Sequence, residues 1–312
     1  MIEEVDAHGA RVRRPVETVR STSASDVSAV VRDYITLTKP RIISLLLLTT
    51  VTTMFVADPA GPGLGVILWT MLGGYLAAGG AGAINHYVDR NRDAHMARTS
   101  ARPLANGRIS PVHGLVFGIV LGLLAFFQLW FTVNLLAAGL AMVGLLGYVF
   151  LYTVWLKPIT PQNIVIGGSA GAVPPLVGWA AATGSLTPEA LWPFLIIFFW
   201  TPPHFWALSL MIKEDYERTG VPMLPVVKGE RETRKQILIY TLVMFAVTLG
   251  PFFTGLLGPL YLAAAAVLGG VFISLSLHLY RNPAPAMNLR TYLYSLAYLA
   301  LLFVAMAVDA VA

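Results

Sequence analysis

The chain has 312 residues, 56% of them hydrophobic and 12% charged, with a formal net charge of +5 and no cysteine. Soluble domains usually carry about 25% charged residues, so this composition, with a mean hydropathy of +0.70, excludes a water-exposed globule. The lack of cysteine excludes disulfides, thiolate zinc sites, iron–sulfur clusters and cysteine nucleophiles.

Residues 1–38 are polar, carry six acidic residues including Glu3, Glu4 and Asp33, and contain the small-residue run Ser21-Thr22-Ser23-Ala24-Ser25. They lack the apolar core of a secretory signal and are too acidic for a transit peptide, so they are predicted to be a disordered cytoplasmic tail. From residue 39 to 312 the chain reads as one transmembrane domain. Apolar runs close to the roughly 20 residues that span a bilayer core fall at 40–58, 64–84, 111–131, 134–156, 162–182, 190–212, 236–256, 259–280 and 291–311. Turn chemistry such as Asp58-Pro59-Ala60-Gly61-Pro62-Gly63 and Thr183-Gly184-Ser185 separates them. The expected fold is therefore all-α, a polytopic membrane protein of nine transmembrane helices.

The 21 Lys and Arg residues test that count. Seven precede or open the first span, five lie between the second and third, and Lys157 lies between the fourth and fifth. Six lie between the sixth and seventh spans, and Arg281 and Arg290 flank the last loop. Alternate loops hold all of them. The positive-inside rule then makes the N-terminus and the basic loops cytoplasmic and puts Ala312 outside, as in a multi-pass protein of the cell (plasma) membrane. The positive charge marks topology, and no nucleic-acid partner is expected.

The first long cytoplasmic loop follows Asn85-His86-Tyr87-Val88-Asp89-Arg90-Asn91-Arg92-Asp93. On a helix, Asn85, Asp89 and Asp93 stand at i, i+4 and i+8, drift by only about 80° and form a stripe about 12 Å long. An amide and two carboxylates make an all-oxygen face suited to Mg²⁺, an ion that shares its other positions with water and substrate phosphates. Arg98 and Arg102, again at i and i+4, offer guanidinium forks to phosphate oxygens. A solvated loop with internally neutralised charges is the plainer alternative.

In the second long loop, Asp215 with Glu214 offers a second metal position, while Glu214 and Arg218 read equally as an i, i+4 ion pair. His204 lies inside the sixth span. A histidine at membrane depth is either functional or a neutral ring bonded to a carbonyl freed by Pro202-Pro203. Arg41 and Lys157 sit at cytoplasmic helix ends, where they either snorkel or lean toward a shared anionic headgroup.

These residues resemble a known family. The pattern N-x-x-x-D-x-x-x-D followed by R-T-x-x-R-P-L is similar to the first aspartate-rich motif of the UbiA superfamily of intramembrane prenyltransferases. Four further segments resemble its haem-farnesylating branch: Tyr152-Thr153-Val154-Trp155-Leu156-Lys157, Asn163-Ile164-Val165-Ile166-Gly167-Gly168, Pro203-His204-Phe205-Trp206-Ala207-Leu208 and Pro222-Met223-Leu224-Pro225-Val226-Val227. The resemblance implies a nine-helix UbiA-type bundle with a cytoplasmic-side active site. It implies Mg²⁺-dependent transfer of farnesyl from farnesyl diphosphate to a vinyl group of haem b, with addition of water, to give haem O. It also implies partners that handle that product, a haem A synthase or a terminal oxidase under assembly. Asn85, Asp89 and Asp93 match the family's metal–diphosphate motif and Arg98 and Arg102 its following arginines. Arg41 and Lys157 resemble basic residues that reach the diphosphate from other helices. Asp215 lies where other members carry a second D-x-x-x-D, which this sequence lacks in full. His204 looks like the histidine of the haem branch.

The chemistry needs no strong general base. Mg²⁺ and arginines take up charge on the departing diphosphate so that the allylic C–O bond ionises. Aromatic faces then shield the cation, with Tyr87, Trp200, Phe205 and Trp206 as candidates beside ordinary packing roles. Three rivals remain: a UbiA-type enzyme with an aromatic acceptor such as a quinone precursor, a membrane transporter, and a membrane cytochrome ligated by His204 and His278.

Overall fold

The computed structural model describes residues 2–5, 11–14 and 24–312. Strands β1 (Ile2–Val5) and β2 (Arg11–Arg14) pair antiparallel with Ile2 opposite Arg14. The expected disordered tail needs correction at its end, because Ala24–Thr38 is a helix, α1. Tyr34 and Leu37, one turn apart, give it an apolar edge. Leu37 is fully buried among Ala83, Leu104 and Ile109, and Tyr34 meets Phe117 edge-on at 4.9 Å. Arg108 clamps Asp33 through two bonds of 2.8 and 3.0 Å. Residues 2–5 and 11–14 of that expected tail are the paired strands, and residues 1, 6–10 and 15–23 of it lie outside the described residues.

Nine of the described helices are long and apolar enough to cross a membrane, and the chain is a multi-pass membrane protein. They are α2 (Pro40–Ala57), α3 (Leu64–Asp93), α4 (Pro111–Thr132), α5 (Leu135–Ile159), α6 (Asn163–Thr183), α7 (Pro188–Met211), α10 (Gly229–Phe253), α11 (Pro259–Arg281) and α12 (Pro285–Val311). Two short helices, α8 (Lys213–Arg218) and α9 (Leu224–Val227), occupy the second long loop. All nine expected spans are present. Hydropathy sees only the apolar part of a helix, so α3, α10 and α12 each continue into a polar end that the sequence left to loops.

The helices fall into two packed groups. In the first, α2 packs on α6, α6 on α5, α5 on α4 and α4 on α3. In the second, α7 packs on α10 and α12, and α11 joins α10 and α12. Contacts of α2 with α12 and of α6 with α7 join the groups. The first core is built of small side chains, Ala77, Ala125, Ala137, Ala138 and Ala180 around Met54 and Leu129. The second is aromatic, with Trp179, Trp200, Tyr261, Phe272, Tyr298 and Phe303. Apolar side chains gain nothing by leaving lipid for another helix, so close backbone approach holds such groups together. At the α3–α4 crossing a Cβ on Gly80 would stand 2.7 Å from the Gly118 carbonyl oxygen, closer than any real Cβ contact.

Candidate active site

The α3 stripe exists as the spacing requires. Asn85, Asp89 and Asp93 are 3%, 1% and 4% exposed. Buried carboxylates need cations, and each finds one from another part of the chain. Lys157 Nζ, from α5, is 2.5 Å from Asp89 Oδ2, and Arg102, from the following loop, donates to Asp93 Oδ2 at 2.7 Å. Asn85 Nδ2 donates to Asp89 Oδ2 at 2.9 Å and to Thr153 Oγ1 at 3.1 Å. Its carbonyl oxygen accepts from Lys39 Nζ at 2.6 Å.

Two local departures from regular helix bring these partners in. From Gly147 to Leu156, α5 winds as a π-helix, a rare form that recurs at functional sites. The wider winding is visible in Thr153 Oγ1, which donates to the carbonyl of Tyr148 five residues back at 2.8 Å. Lys157 follows directly. Lys39 joins α1 to α2 with φ 58°, the one non-glycine with positive φ among the described residues. Proline disfavours helical geometry in the residue before it, so Lys39-Pro40 breaks the helix and turns the lysine inward. The α1 end can sit this close because position 82 is glycine: a Cβ there would lie 3.0 Å from the Leu37 carbonyl oxygen and 3.3 Å from that of Thr38. Burial, reinforced by Arg102 and Lys157 and opposed by Asp89 and Asp93, lowers the Lys39 pKa to about 7.

An apolar cavity of about 220 Å³ runs from this cluster between α2, α3, α5 and α6. Lys39, Thr38 and Tyr148 mark its polar end, and Leu46, Ala77 and Val177 are typical of the rest. Lys39 Nζ lies 5.8 Å from the Tyr148 ring centre, and Tyr148 stacks on Tyr152 at 5.5 Å. The arrangement pairs an anion- and metal-binding end with a lipid-like slot, which suits a molecule with a charged head and a long apolar tail.

Several expected residues stand elsewhere. Arg41 is exposed and makes no ion pair among the described residues; Lys39, two positions earlier, takes the place foreseen for it. Arg98 is exposed and likewise makes no ion pair among the described residues. Asp215 does not complete a metal cage, for among the described residues no three of His, Cys, Asp and Glu come together. It accepts the Ala97 N–H at 3.2 Å and stands 3.9 Å from Arg218, so it ties the two long loops together. Arg218 pairs there rather than with Glu214, which is exposed. Tyr87 turns to the Leu37–Leu104 cluster and carries Arg90 at 4.5 Å from its ring, away from the carboxylates. Trp206 packs edge-on against Tyr240 at 5.2 Å within a separate core. Phe205 stays near the site, against Tyr152, Tyr216 and Met223.

His204 occupies the second helix group. Its Nδ1 is 2.7 Å from Ser295 Oγ on α12, and its ring stacks on Trp200 at 4.2 Å and on Tyr292 at 4.9 Å. A serine, rather than a carbonyl freed by Pro202-Pro203, is thus its partner. His278, the other ligand of the cytochrome reading, is exposed. Sequence reasoning passed over Lys39, Thr153, Tyr148, Tyr152 and Ser295. The chemistry of the stripe, oxygen donors alone on a buried face with two carboxylates, fits a hard divalent ion that completes its shell with substrate and water.

The model of the UbiA prenyltransferase family matches residues 46–306. The chain is 57% identical over 283 residues to the protoheme IX farnesyltransferase of Roseiflexus sp. (strain RS-1), covering 91% of this chain and 53% of that one. It is 54% identical over 282 residues to that of Symbiobacterium thermophilum, covering 90% and 94%. The chain thus spans about half the length of the Roseiflexus, Chloroflexus and Thermus relatives and nearly all of the Symbiobacterium one. Among solved structures it resembles a digeranylgeranylglyceryl phosphate synthase with a TM-score of 0.74 at 17% identity, over 90% of this chain and 98% of the other. It also resembles a UbiA homologue from Archaeoglobus fulgidus bound to GPP and Mg²⁺, with a TM-score of 0.61 at 17% identity over 88% and 99%.

Proposed function

The chain belongs to the UbiA prenyltransferase family, and from that premise we propose that it transfers farnesyl from farnesyl diphosphate to a vinyl group of haem b, with addition of water, to give haem O. One observation carries the prenyl-diphosphate half of this reading. Two buried carboxylates and an amide are each met by a cation from a different segment, and one of those cations, Lys39, also lines the polar end of an apolar slot. The haem half rests on the similarity to the protoheme IX farnesyltransferases.

Asn85, Asp89 and Asp93 are the residues that would hold Mg²⁺. Bound there, the ion would make the diphosphate a better leaving group. Lys39, Lys157 and Arg102 offset charge that grows on the diphosphate as the allylic C–O bond breaks, in a site with little water to screen it. Arg98, exposed beside this mouth, reaches the outer phosphate. The slot takes the isoprenoid tail, where each buried CH₂ contributes about 0.8 kcal/mol. Tyr148, which lines the slot and is backed by the stacked Tyr152, offers a ring face to the allylic cation, and Phe205 adds an apolar wall. The vinyl group of haem attacks that cation. Water then captures the positive carbon left on the haem side and loses a proton to solvent. His204, stacked with Trp200, contacts the haem from the second helix group. Asp215 holds the two loops that close over the diphosphate. The enzyme works in the plasma membrane with its N-terminus and active site cytoplasmic and its C-terminus outside, and it delivers haem O to a haem A synthase or an oxidase under assembly.

The test is mass spectrometry of the pigments formed when purified protein in lipid receives haem b, farnesyl diphosphate and Mg²⁺. A porphyrin heavier by one farnesyl group and one hydroxyl group supports the reading. Unchanged haem b beside a prenylated 4-hydroxybenzoate, offered in parallel, refutes it.

A further inference from the structure

The hydrogen bonds of His204 decide which ring nitrogen carries its proton. Nδ1 lies 2.7 Å from Ser295 Oγ. That hydroxyl has one hydrogen, directed at the Tyr292 carbonyl oxygen 2.6 Å away. A carbonyl oxygen only accepts, so turning the serine proton toward His204 would leave two bare acceptors facing each other at that distance. Ser295 Oγ therefore accepts from Nδ1–H, and Nε2 keeps its lone pair. The ring plane is held by its stacking on Trp200 and Tyr292, tilted by 15° and 25°. Trp200 is itself fixed by donation from Nε1 to the Ser295 carbonyl at 2.8 Å. Nε2 has no hydrogen-bond partner among the described residues, and the ring is only half-buried.

An unpaired acceptor at membrane depth is costly. A neutral imidazole with one N–H tied down and the other nitrogen bare is also the form in which histidine ligates a metal. We infer that His204 is an axial ligand, through Nε2, to the iron of the bound porphyrin, and that Ser295 is the positioning residue that sets its tautomer and ring plane. This rests on the haem reading above. Ligation forms one Nε2–Fe bond and releases no proton, because the ring's only exchangeable hydrogen stays on Nδ1.

The test is a titration of the purified protein with haem b, read by optical and electron paramagnetic resonance spectra, with the Fe–His stretch of the ferrous form recorded by resonance Raman. Wild type is expected to show histidine ligation. His204→Ala loses that signature, and added imidazole restores it. Ser295→Ala weakens haem binding by about 10-fold or more and shifts the Fe–His band. Both variants bind farnesyl diphosphate as wild type does, which shows that they fold. A wild-type spectrum in His204→Ala, or an unmoved affinity and Fe–His band in Ser295→Ala, overturns the inference. If wild type makes haem O while His204→Ala keeps the wild-type spectrum, only the ligand assignment falls. If wild type takes up no haem at all, the haem reading falls with it.

Discussion

The two helix groups solve the problem of polar groups in a membrane in opposite ways. The first concentrates charge: two buried carboxylates on α3 are balanced by Lys157 and Arg102, with Lys39 on the neighbouring amide. The second holds a neutral ring, His204, half-buried against one serine and two aromatic neighbours. Charge grouped in this way fits the proposed role of the first region, in which an anion and a metal would exchange one set of ionic partners for another. An uncharged lone pair fits the proposed role of the second, the binding of an apolar, planar acceptor. On the proposed reading, one bundle would keep a polar leaving group and a greasy nucleophile on separate sides of the bond to be made.

The strongest way to break this division is to remove charge from the first region. Asp89→Asn and Asp93→Asn are each expected to lower haem O formation by about 100-fold or more while the protein still inserts and haem still binds. Near-normal turnover in a membrane assay of either variant would end the proposed role of the stripe. Next in size is a contrast between neighbours. Lys39→Met should cost about 10- to 100-fold in turnover, whereas Arg41→Met, two positions on and exposed, should change it little. Steady-state rates of the pair decide between them, and equal losses would contradict the assignment of Lys39.

His204→Ala sharpens the comparison from the other side. It should weaken haem binding more than farnesyl diphosphate binding, as separate titrations would show, and equal losses in both would contradict a division of labour. Gly82→Val should push α1 off α3 and blunt turnover through misplacement of Lys39, with the sparing of haem binding as its check. The smallest effect belongs far from both sites. Asp309 on α12 caps the start of α11, accepting the N–H groups of Gly258 and, at 2.9 Å, Tyr261. Asp309→Ala should cost about 1 kcal/mol of stability, seen as a lower melting temperature, and leave turnover per folded molecule unchanged.

What the sequence disclosed follows the same line. Asn85, Asp89 and Asp93 were legible because one helix carries them all, so spacing alone sets their common face. Nine spans were legible because bilayer thickness fixes the length of each apolar run. Lys39 was missed for Arg41 because a left-handed residue before proline reverses the direction expected at a helix end; the Lys39-Pro40 break was the available signal. Tyr148 and Thr153 were missed because a π-helical stretch shifts register without changing hydropathy. Ser295 stands 91 residues from His204, and a serine within an apolar run reveals no partner until α7 and α12 pack. Tyr87 and Trp206 lie next to motif residues in sequence, yet helix geometry turns each to another face.

The measurement that tests the central claim most directly is calorimetric titration with an unreactive thiolo analogue of farnesyl diphosphate, with and without Mg²⁺, in wild type, Asp93→Asn and His204→Ala. Tight binding that requires Mg²⁺ is expected in wild type and His204→Ala and is expected to be lost in Asp93→Asn. Equal binding in all three proteins, indifferent to Mg²⁺, would contradict it.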